Sequence, residues 1–292
     1  MTCQPDLSGV WIKVERAKDF EHPFVGMAAF HDDQGEYDHR CSGSLLTPTV
    51  FLTAAHCVTD YWGPNIETAR VYFQQGALRQ DASKNYESGF PDDCAPGTLG
   101  VTCATSAKIY DYDYATSGPP WRDSPDIRDV ALVILDQPIN IPGEEYGELA
   151  APDSLDDLAI RRGQQDVTFT LSGYGATALN GVHDTRSSER LMAGSKLTNL
   201  RSALTDGYNV QLNANGNDRG GACHGDSGGP VFHGAPTSNT IVALSGWYMQ
   251  GRFQSCEGNR FYYYRTDSKA VIDWILQTVP ESEAGNIRIV DL

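Results

Sequence analysis

Short apolar runs recur along the whole chain, each broken off by Gly, Pro, Asn or Asp. They are Phe24 to Phe30, Val50 to Ala55, Val71 to Phe73, Val130 to Leu135, Val167 to Leu171 and Ile241 to Leu244. Runs this short, bounded by turn residues, read as strands of an all-β barrel or sandwich rather than as helices. One segment has the other period. In SKAVIDWILQTVP, residues 268–280, the positions Val271, Trp274, Ile275 and Thr278 recur at i, i+3, i+4 and i+7. Ser268 can cap the first turn and Pro280 stops the last. The pattern predicts many short strands followed by one C-terminal helix. Two stretches follow neither period: residues 74–129, which contain SGFPDDCAPGT and TSGPPWRDSPD, and the polar segment 150–163. The first reads as a long surface loop, the second as a link between two halves.

Length and charge narrow the picture. A chain of 292 residues suffices for one large all-β domain or two small ones. With 38 acidic against 22 basic residues, the net charge of −16 argues against nucleic acid and anionic membrane as partners, since phosphates need a cationic surface. No run approaches the ~20 apolar residues of a membrane span. Seven cysteines (Cys3, Cys41, Cys57, Cys94, Cys103, Cys223, Cys256) are spread out rather than grouped in C-x-x-C pairs, which disfavours a zinc site and suits disulfides in an oxidising compartment. Cys94 and Cys103, nine apart inside the turn-rich stretch, read as a staple of a local loop. Met1-Thr2-Cys3-Gln4 has neither the basic start nor the apolar stretch of a secretory signal, which leaves either a processed form of a secreted protein, the favoured reading, or a protein that stays inside. The acidic loop HDDQGEYDH, with Asp32, Asp33, Glu36 and Asp38, does not follow an EF-hand pattern and reads as a solvated turn. No metal and no cofactor are expected.

Three stretches carry the chemistry: LTAAHCV at 52–58, RDVALVIL at 128–135 and GDSGGPV at 225–231. A lone His or a lone Asp before a strand is commonplace. GDSGGP is more specific, because its glycines and acid bracket one potential nucleophile. In the order His56, Asp129, Ser227, the three resemble the trypsin-like (chymotrypsin-fold) serine peptidase family. That resemblance implies two six-stranded antiparallel β-barrels with the active site between them, and a C-terminal α-helix. It divides a single peptidase domain at about residues 20–149, 150–267 and 268–280. It makes His56 the general base, Asp129 its orienting carboxylate and Ser227 the nucleophile, with the backbone N–H groups of Gly225 and Ser227 as the oxyanion hole. The interval from Asp129 to Ser227, 98 residues, matches the family. The 73 residues from His56 to Asp129 exceed it, and the excess sits in the turn-rich loop, where length adds closure entropy only logarithmically. HPFVGMAAF at 22–30 resembles the family's first barrel strand, and SGYGAT at 172–177 its Gly-aromatic-Gly turn. The resemblance also pairs Cys41 with Cys57 at the histidine loop and Cys223 with Cys256 beside the specificity pocket, leaving Cys3 over.

The departures set the remaining expectations. Family members begin with a freed Ile-Val-Gly-Gly terminus that pairs with the acid before the nucleophile, here Asp226. Nothing in SGVWIKV at 8–14 matches that terminus, so Asp226 is left to an internal cation or an unfamiliar cut, and activity is expected to need no new terminus. Gly221 at the pocket floor, followed by Ala222, offers no carboxylate to a basic substrate residue. The pocket wall reads Ser245-Gly246-Trp247-Tyr248 where the family has Ser-Trp-Gly, so Trp247 or Tyr248 narrows the pocket toward small or medium apolar residues. Arg260 raises acceptance of an acidic residue as a minor alternative. The expected protein is a monomeric secreted serine endopeptidase acting on protein or peptide substrates through an acyl-enzyme. The alternative is a catalytically silent homologue serving as a binding module.

Overall fold

The apolar runs become strands whose burial follows their place in the sheets. The computed structural model describes residues 17–59, 66–76, 90, 94, 102–114, 125–158, 167–179, 182–184, 189–213, 220–249, 256 and 260–292. The first half supplies β1 (Ala17–Lys18), β2 (Val25–Asp32), β3 (Tyr37–Leu45), β4 (Val50–Thr53), β5 (Ile66–Tyr72), β6 (Cys103–Ser106), β7 (Ile109–Asp111) and β8 (Ala131–Ile134). The second half supplies β9 (Glu148–Ala150), β10 (Thr168–Gly173), β11 (Thr177–Leu179), β12 (Val182–Asp184), β13 (Leu191–Asn199) and β14 (Asn209–Asn213). It continues with β15 (Pro230–His233), β16 (Thr240–Met249), β17 (Arg260–Arg265), the helices α1 (Lys269–Thr278) and α2 (Glu281–Ala284), and β18 (Ile289–Val290). Strand β2 lies between β3 and β5 and is buried from Val25 to His31, which is why its run is continuous rather than alternating. Strand β13 alternates instead, with Leu191, Ala193, Ser195 and Leu197 turned inward.

Two barrel-like sheets result, as the resemblance implies. The first runs β6-β5-β2-β3-β4-β8-β7 and has seven strands. In the second, β15-β10-β13-β14-β17-β16 closes on itself through β15–β16, a ring of six. Outside the ring, β9 joins β16 in parallel, β18 joins β9, and β1 adds to β13, so the sheet counts nine strands. The helix α1 forms where its period predicts: Ser268 accepts from Val271 N at its start, a cap worth about 1 kcal/mol. Its buried face, Val271 and Ile275, packs into the core cluster containing Phe24, Met27 and Phe51 of the first sheet. The chain's end thus crosses back over the first barrel.

A second, polar contact straps the start of the chain to the second ring. Asp19 and His22 are fully buried, with His22 Nδ1 2.9 Å from Asp19 Oδ2 and His22 Nε2 3.1 Å from the carbonyl of Ser238. Ser172 Oγ on β10 donates to the same carboxylate, and Arg190 Nε donates to the Asp19 carbonyl at 3.1 Å. Burial alone would push the Asp19 carboxyl up. The hydrogen bond and charge of His22, with Ser172 and the Arg190 charge, more than offset it and hold Asp19 below its ordinary value.

Candidate active site

Each of the three candidate residues sits at the end of a strand, at the seam between the sheets. His56 lies in the single 3-10 turn Ala55–Cys57 that follows β4, pinned by the disulfide from Cys57 to Cys41 of β3. Asp129 precedes β8, just after Arg128, whose φ of +50° turns the chain sharply. Ser227 precedes β15 in the loop that Cys223 ties to Cys256. The third pairing, Cys94–Cys103, also forms. Cys3 lies outside the described residues.

His56 and Asp129 are brought together tightly. Asp129 Oδ2 is 2.8 Å and Oδ1 3.0 Å from His56 Nδ1, while the His56 backbone N–H donates to Oδ1 at 2.9 Å. The carboxylate is 1% exposed and the imidazole 29%. Burial alone would depress the imidazole. The Asp129 charge and hydrogen bond prevail and raise His56 above its ordinary value. With Nδ1 committed to the carboxylate, Nε2 is the nitrogen left to receive a proton.

Ser227 reaches the same place through its neighbours. Gly228 has φ of +76°, and a Cβ there would stand 2.1 Å from Thr53 Oγ1 and 2.7 Å from Ala54 N, two residues before His56. Only glycine lets the nucleophile loop approach the histidine turn this closely. Gly228 N donates to Ser245 O, and the next residue, Gly246, would carry a Cβ 3.2 Å from Asp129 Oδ2. The Ser227 hydroxyl itself makes no hydrogen bond among the described residues. In substrate-free sites, such serine–imidazole contacts are commonly long and tighten on binding.

The two amides expected to stabilise an oxyanion are available. Among the described residues, neither the Gly225 N–H nor the Ser227 N–H donates a hydrogen bond. The carbonyl sharing each peptide plane is anchored: His224 O accepts from Ala176 N at 2.7 Å, and Asp226 O from Gly229 N at 2.8 Å. N–H and C=O of a trans peptide point opposite ways, so both amides are turned away from those anchors. At Gly225 the φ of +95° requires glycine.

Ser42, which the sequence did not single out, clamps the same loop. Its Oγ donates to Gly225 O at 2.8 Å and accepts from Tyr174 N at 2.9 Å, and its N–H donates to Ser227 O at 2.7 Å. Its only local signal was a serine directly after Cys41. Asp226, buried, accepts from Gly175 N at 2.8 Å and from Cys223 N at 2.7 Å. The SGYGAT turn therefore holds Asp226 with a backbone amide. Residues 8–14, where a freed terminus was sought, lie outside the described residues.

Beside Ser227 a cavity opens between Ala222, Ser245, Gly246 and strand β17. Gly221 and Ala222 also border a smaller cavity next to Asp226. Strand β16 carries Trp247 and Tyr248, but their side chains, like that of Arg260, lie outside the described residues. In the acidic loop, Asp32 Oδ1 accepts from the N–H groups of Gln34 and Glu36, so that carboxylate closes its own turn. Among the described residues, the grouping with metal-ligand proximity is Cys41, His56 and Cys57, whose sulfurs are joined in a disulfide and are not thiolates. No helix among the described residues is long and apolar enough to cross a membrane.

Comparison with known proteins points the same way. The sequence matches the family described as Trypsin over residues 12–92 and 99–275. It is 25% identical over 241 residues to CLIP domain-containing serine protease B9 of Anopheles gambiae, covering 79% of this chain and 53% of that protein. It is likewise 25% identical over 240 residues to serine protease ea of Drosophila melanogaster, covering 79% of this chain and 58% of that protein. The chain thus spans little more than half of these two curated relatives. With fibrinolytic enzyme, isozyme C, of Lumbricus rubellus it shares 24% over 250 residues, 82% of this chain and 89% of that one. In fold it superposes on a solved structure described as HL collagenase with a TM-score of 0.60 at 17% identity, covering 90% and 95% of the two chains.

Proposed function

The chain belongs to the trypsin family, and from that premise we propose that it is a secreted serine endopeptidase acting as a monomer on protein or peptide substrates. The observation that carries the reading is the pair of undonated amides, Gly225 and Ser227, in one loop whose Gly228 packs against the turn that carries the carboxylate-bound imidazole. Ser227 Oγ attacks the scissile carbonyl while His56 Nε2 takes its proton. Asp129 keeps the imidazole in the tautomer that leaves Nε2 free and stabilises the imidazolium. The developing oxyanion is received by the two amides, each donor of this kind lowering the barrier by about 3 to 4 kcal/mol. Collapse expels the amine, which takes the proton from His56, and water then resolves the acyl-enzyme by the same steps. Three disulfides support an oxidising, extracellular location. Without a carboxylate at Gly221 or Ala222, the primary specificity is non-basic, favouring small or medium apolar residues.

The test is labelling by a fluorophosphonate probe. The chain should be labelled, Ser227→Ala should not, and His56→Ala should be labelled far more slowly. A folded wild-type chain that resists labelling would favour the silent, substrate-binding homologue instead.

A further inference from the structure

Among the described residues, the Asp129 carboxylate takes every hydrogen bond from His56: Oδ1 from the backbone N–H and Nδ1, Oδ2 from Nδ1. Its aim is therefore set by the segment that carries it, residues 125–129. That segment is strained at Arg128, whose φ of +50° is left-handed for a residue with a Cβ. Ile127 plugs it into the core cluster of the first sheet. The other anchors come from the second ring, where Tyr264 of β17 and Asn209 of β14 stand opposite one another. The Tyr264 hydroxyl donates to Asp126 Oδ1 at 2.6 Å, and Asn209 Nδ2 donates to the Pro125 carbonyl at 2.6 Å. Both side chains are buried, and Asn209 Oδ1 has no partner among the described residues, a costly placement that the bond to Pro125 helps offset. Burial, then the bond to Asp126 and the negative charges of Asp126 and Asp129, push the Tyr264 hydroxyl up, so it stays a neutral donor. Arg128 also faces Asp113 at 3.0 Å and Asp126 at 3.9 Å, but these pairs are solvent-screened and hold the turn weakly.

From this arrangement we infer that Tyr264 is a positioning residue for the reaction: through Asp126 it pins the strained turn to the second ring and so fixes the Asp129 carboxylate on His56. The inference rests on the endopeptidase reading and extends it to a residue outside the triad, the nucleophile loop and the pocket. His56 and Asp129 flank strands of the first sheet, whereas Ser227 precedes β15 of the second. A turn fastened to both keeps carboxylate, imidazole and nucleophile in one frame. Such fastening matters because a displacement of about 1 Å at a catalytic group can slow a reaction by about 10². The effect on His56 has one channel. Asp129 is the charge that raises the imidazole, and Tyr114, whose ring lies 6.4 Å away, is pushed up by burial and stays neutral. Loosening the turn therefore weakens the one contact that holds His56 above its ordinary value.

The experiment compares wild type, Tyr264→Phe, Asp126→Ala, Asp126→Asn and the double variant Tyr264→Phe/Asp126→Ala on a peptide substrate across pH. Rates are normalised to the fraction of sites that the fluorophosphonate labels at completion, so partial misfolding does not enter. Tyr264→Phe keeps the buried ring and removes only the hydroxyl. It should lower kcat about tenfold with KM little changed, well short of the ~10⁴ lost when the carboxylate itself is replaced. It should also move the acid limb of kcat/KM down in pH, a shift that a merely structural role would not produce. Asp126→Ala should do the same, and the double variant should lose no more than either single one, since the two groups act as a unit. Asp126→Asn keeps an acceptor oxygen for the hydroxyl and should lie within about threefold of wild type. Asp126→Ala also keeps the test alive if Tyr264→Phe does not fold. A wild-type kcat and an unmoved limb in Tyr264→Phe or Asp126→Ala, even with lowered stability, would overturn the inference and leave the endopeptidase reading intact. So would additive losses in the double variant, or an Asp126→Asn as slow as Asp126→Ala. A wild type that the probe does not label would overturn both.

Discussion

Gly228→Ala is the sharpest test of how the nucleophile loop is built, and Gly234→Ala is its control. Both glycines have positive φ, +76° and +93°. At Gly234 an added methyl meets nothing within 4 Å, so alanine there suffers only the left-handed backbone, about 1–2 kcal/mol. At Gly228 the methyl would stand 2.1 Å from Thr53 Oγ1, 2.5 Å from Ser42 O and 2.7 Å from Ala54 N. Two of those atoms are backbone and cannot rotate aside. Overpacking of that kind adds about 1–3 kcal/mol to the backbone strain, for a total of roughly 2–5 kcal/mol. Equilibrium urea denaturation with the disulfides intact reads the difference. With a slope of about 3 kcal/mol/M, Gly228→Ala moves the midpoint down by roughly 0.7–1.7 M and Gly234→Ala by no more than about 0.7 M. The packing contribution is what separates them, and it also predicts slower probe labelling for Gly228→Ala alone, since the methyl pushes Ser227 away from the His56 turn. Equal midpoint shifts in the two variants would refute the close approach of the loop to Thr53 and Ala54.

Two further outcomes follow from the buried charges. A general base must be neutral to act, so the raised His56 places the acid limb of kcat/KM above the ordinary imidazole value of 6.5; Asp129→Asn removes the cause, moves the limb down in pH and lowers kcat by about 10⁴, as for triads of this type. A limb that stays put in Asp129→Asn would show that another group sets it. Asp19→Asn takes the carboxylate from His22 and Ser172 in a dry site, while the Arg190 bond to the Asp19 backbone carbonyl remains, at a cost of about 3–5 kcal/mol. Because the folded carboxyl sits below its ordinary value of 3.8, its contribution is whole above that pH and disappears as pH falls through the depressed value. The urea midpoints of wild type and variant should therefore converge only in strong acid. Convergence already at pH 5 would contradict the assignment.

What was legible in the sequence is what a short window encodes. Each of the six apolar runs bounded by turn residues overlaps a strand, give or take a residue or two at its ends, and SKAVIDWILQTVP forms its helix because cap, period and stop are all local. The nucleophile loop could be recognised for the same reason, since glycines, acid and serine are contiguous. Pairing is not local. Ser42 and Gly225 are 183 positions apart, and Asp19 and Arg190 are 171 apart, so neither partner carries a mark of the other. The ambiguity between Trp247 and Tyr248 had the same origin. Ser-Gly-Trp-Tyr differs from Ser-Trp-Gly by one position, and only the ladder to β17 shows Gly246 as the bulged residue, with Trp247 opposite Tyr262 and Tyr248 opposite Phe261. Phe261 and Tyr263 looked like ordinary alternating strand residues, because what makes them pocket residues is the approach of Ala222 from another part of the chain.

Those long-range contacts form one connected path to the oxyanion donors. Arg190 Nη1 donates to the carbonyls of Val25 and Phe73 and to the Tyr174 hydroxyl, while its Nε holds Asp19. Burial pushes the Tyr174 hydroxyl up to about 12, so it stays a neutral donor, and it reaches the carbonyl of Gln74 at 2.5 Å. Tyr174 N–H then meets Ser42 Oγ, and Ser42 holds the carbonyls of Gly225 and Ser227. The loop is thus strapped from behind to a strand of the first sheet, to the turn after β10 in the second, and through Arg190 to the start of the chain. Preorganised donors stabilise a transition state because no reorganisation remains when charge develops. A loop of six residues with three glycines could not hold two free amides in one direction by its own conformational preferences, since glycine adopts many. The rigidity that the Gly-rich motif lacks is supplied by Ser42, Tyr174 and Arg190, none of which belongs to it.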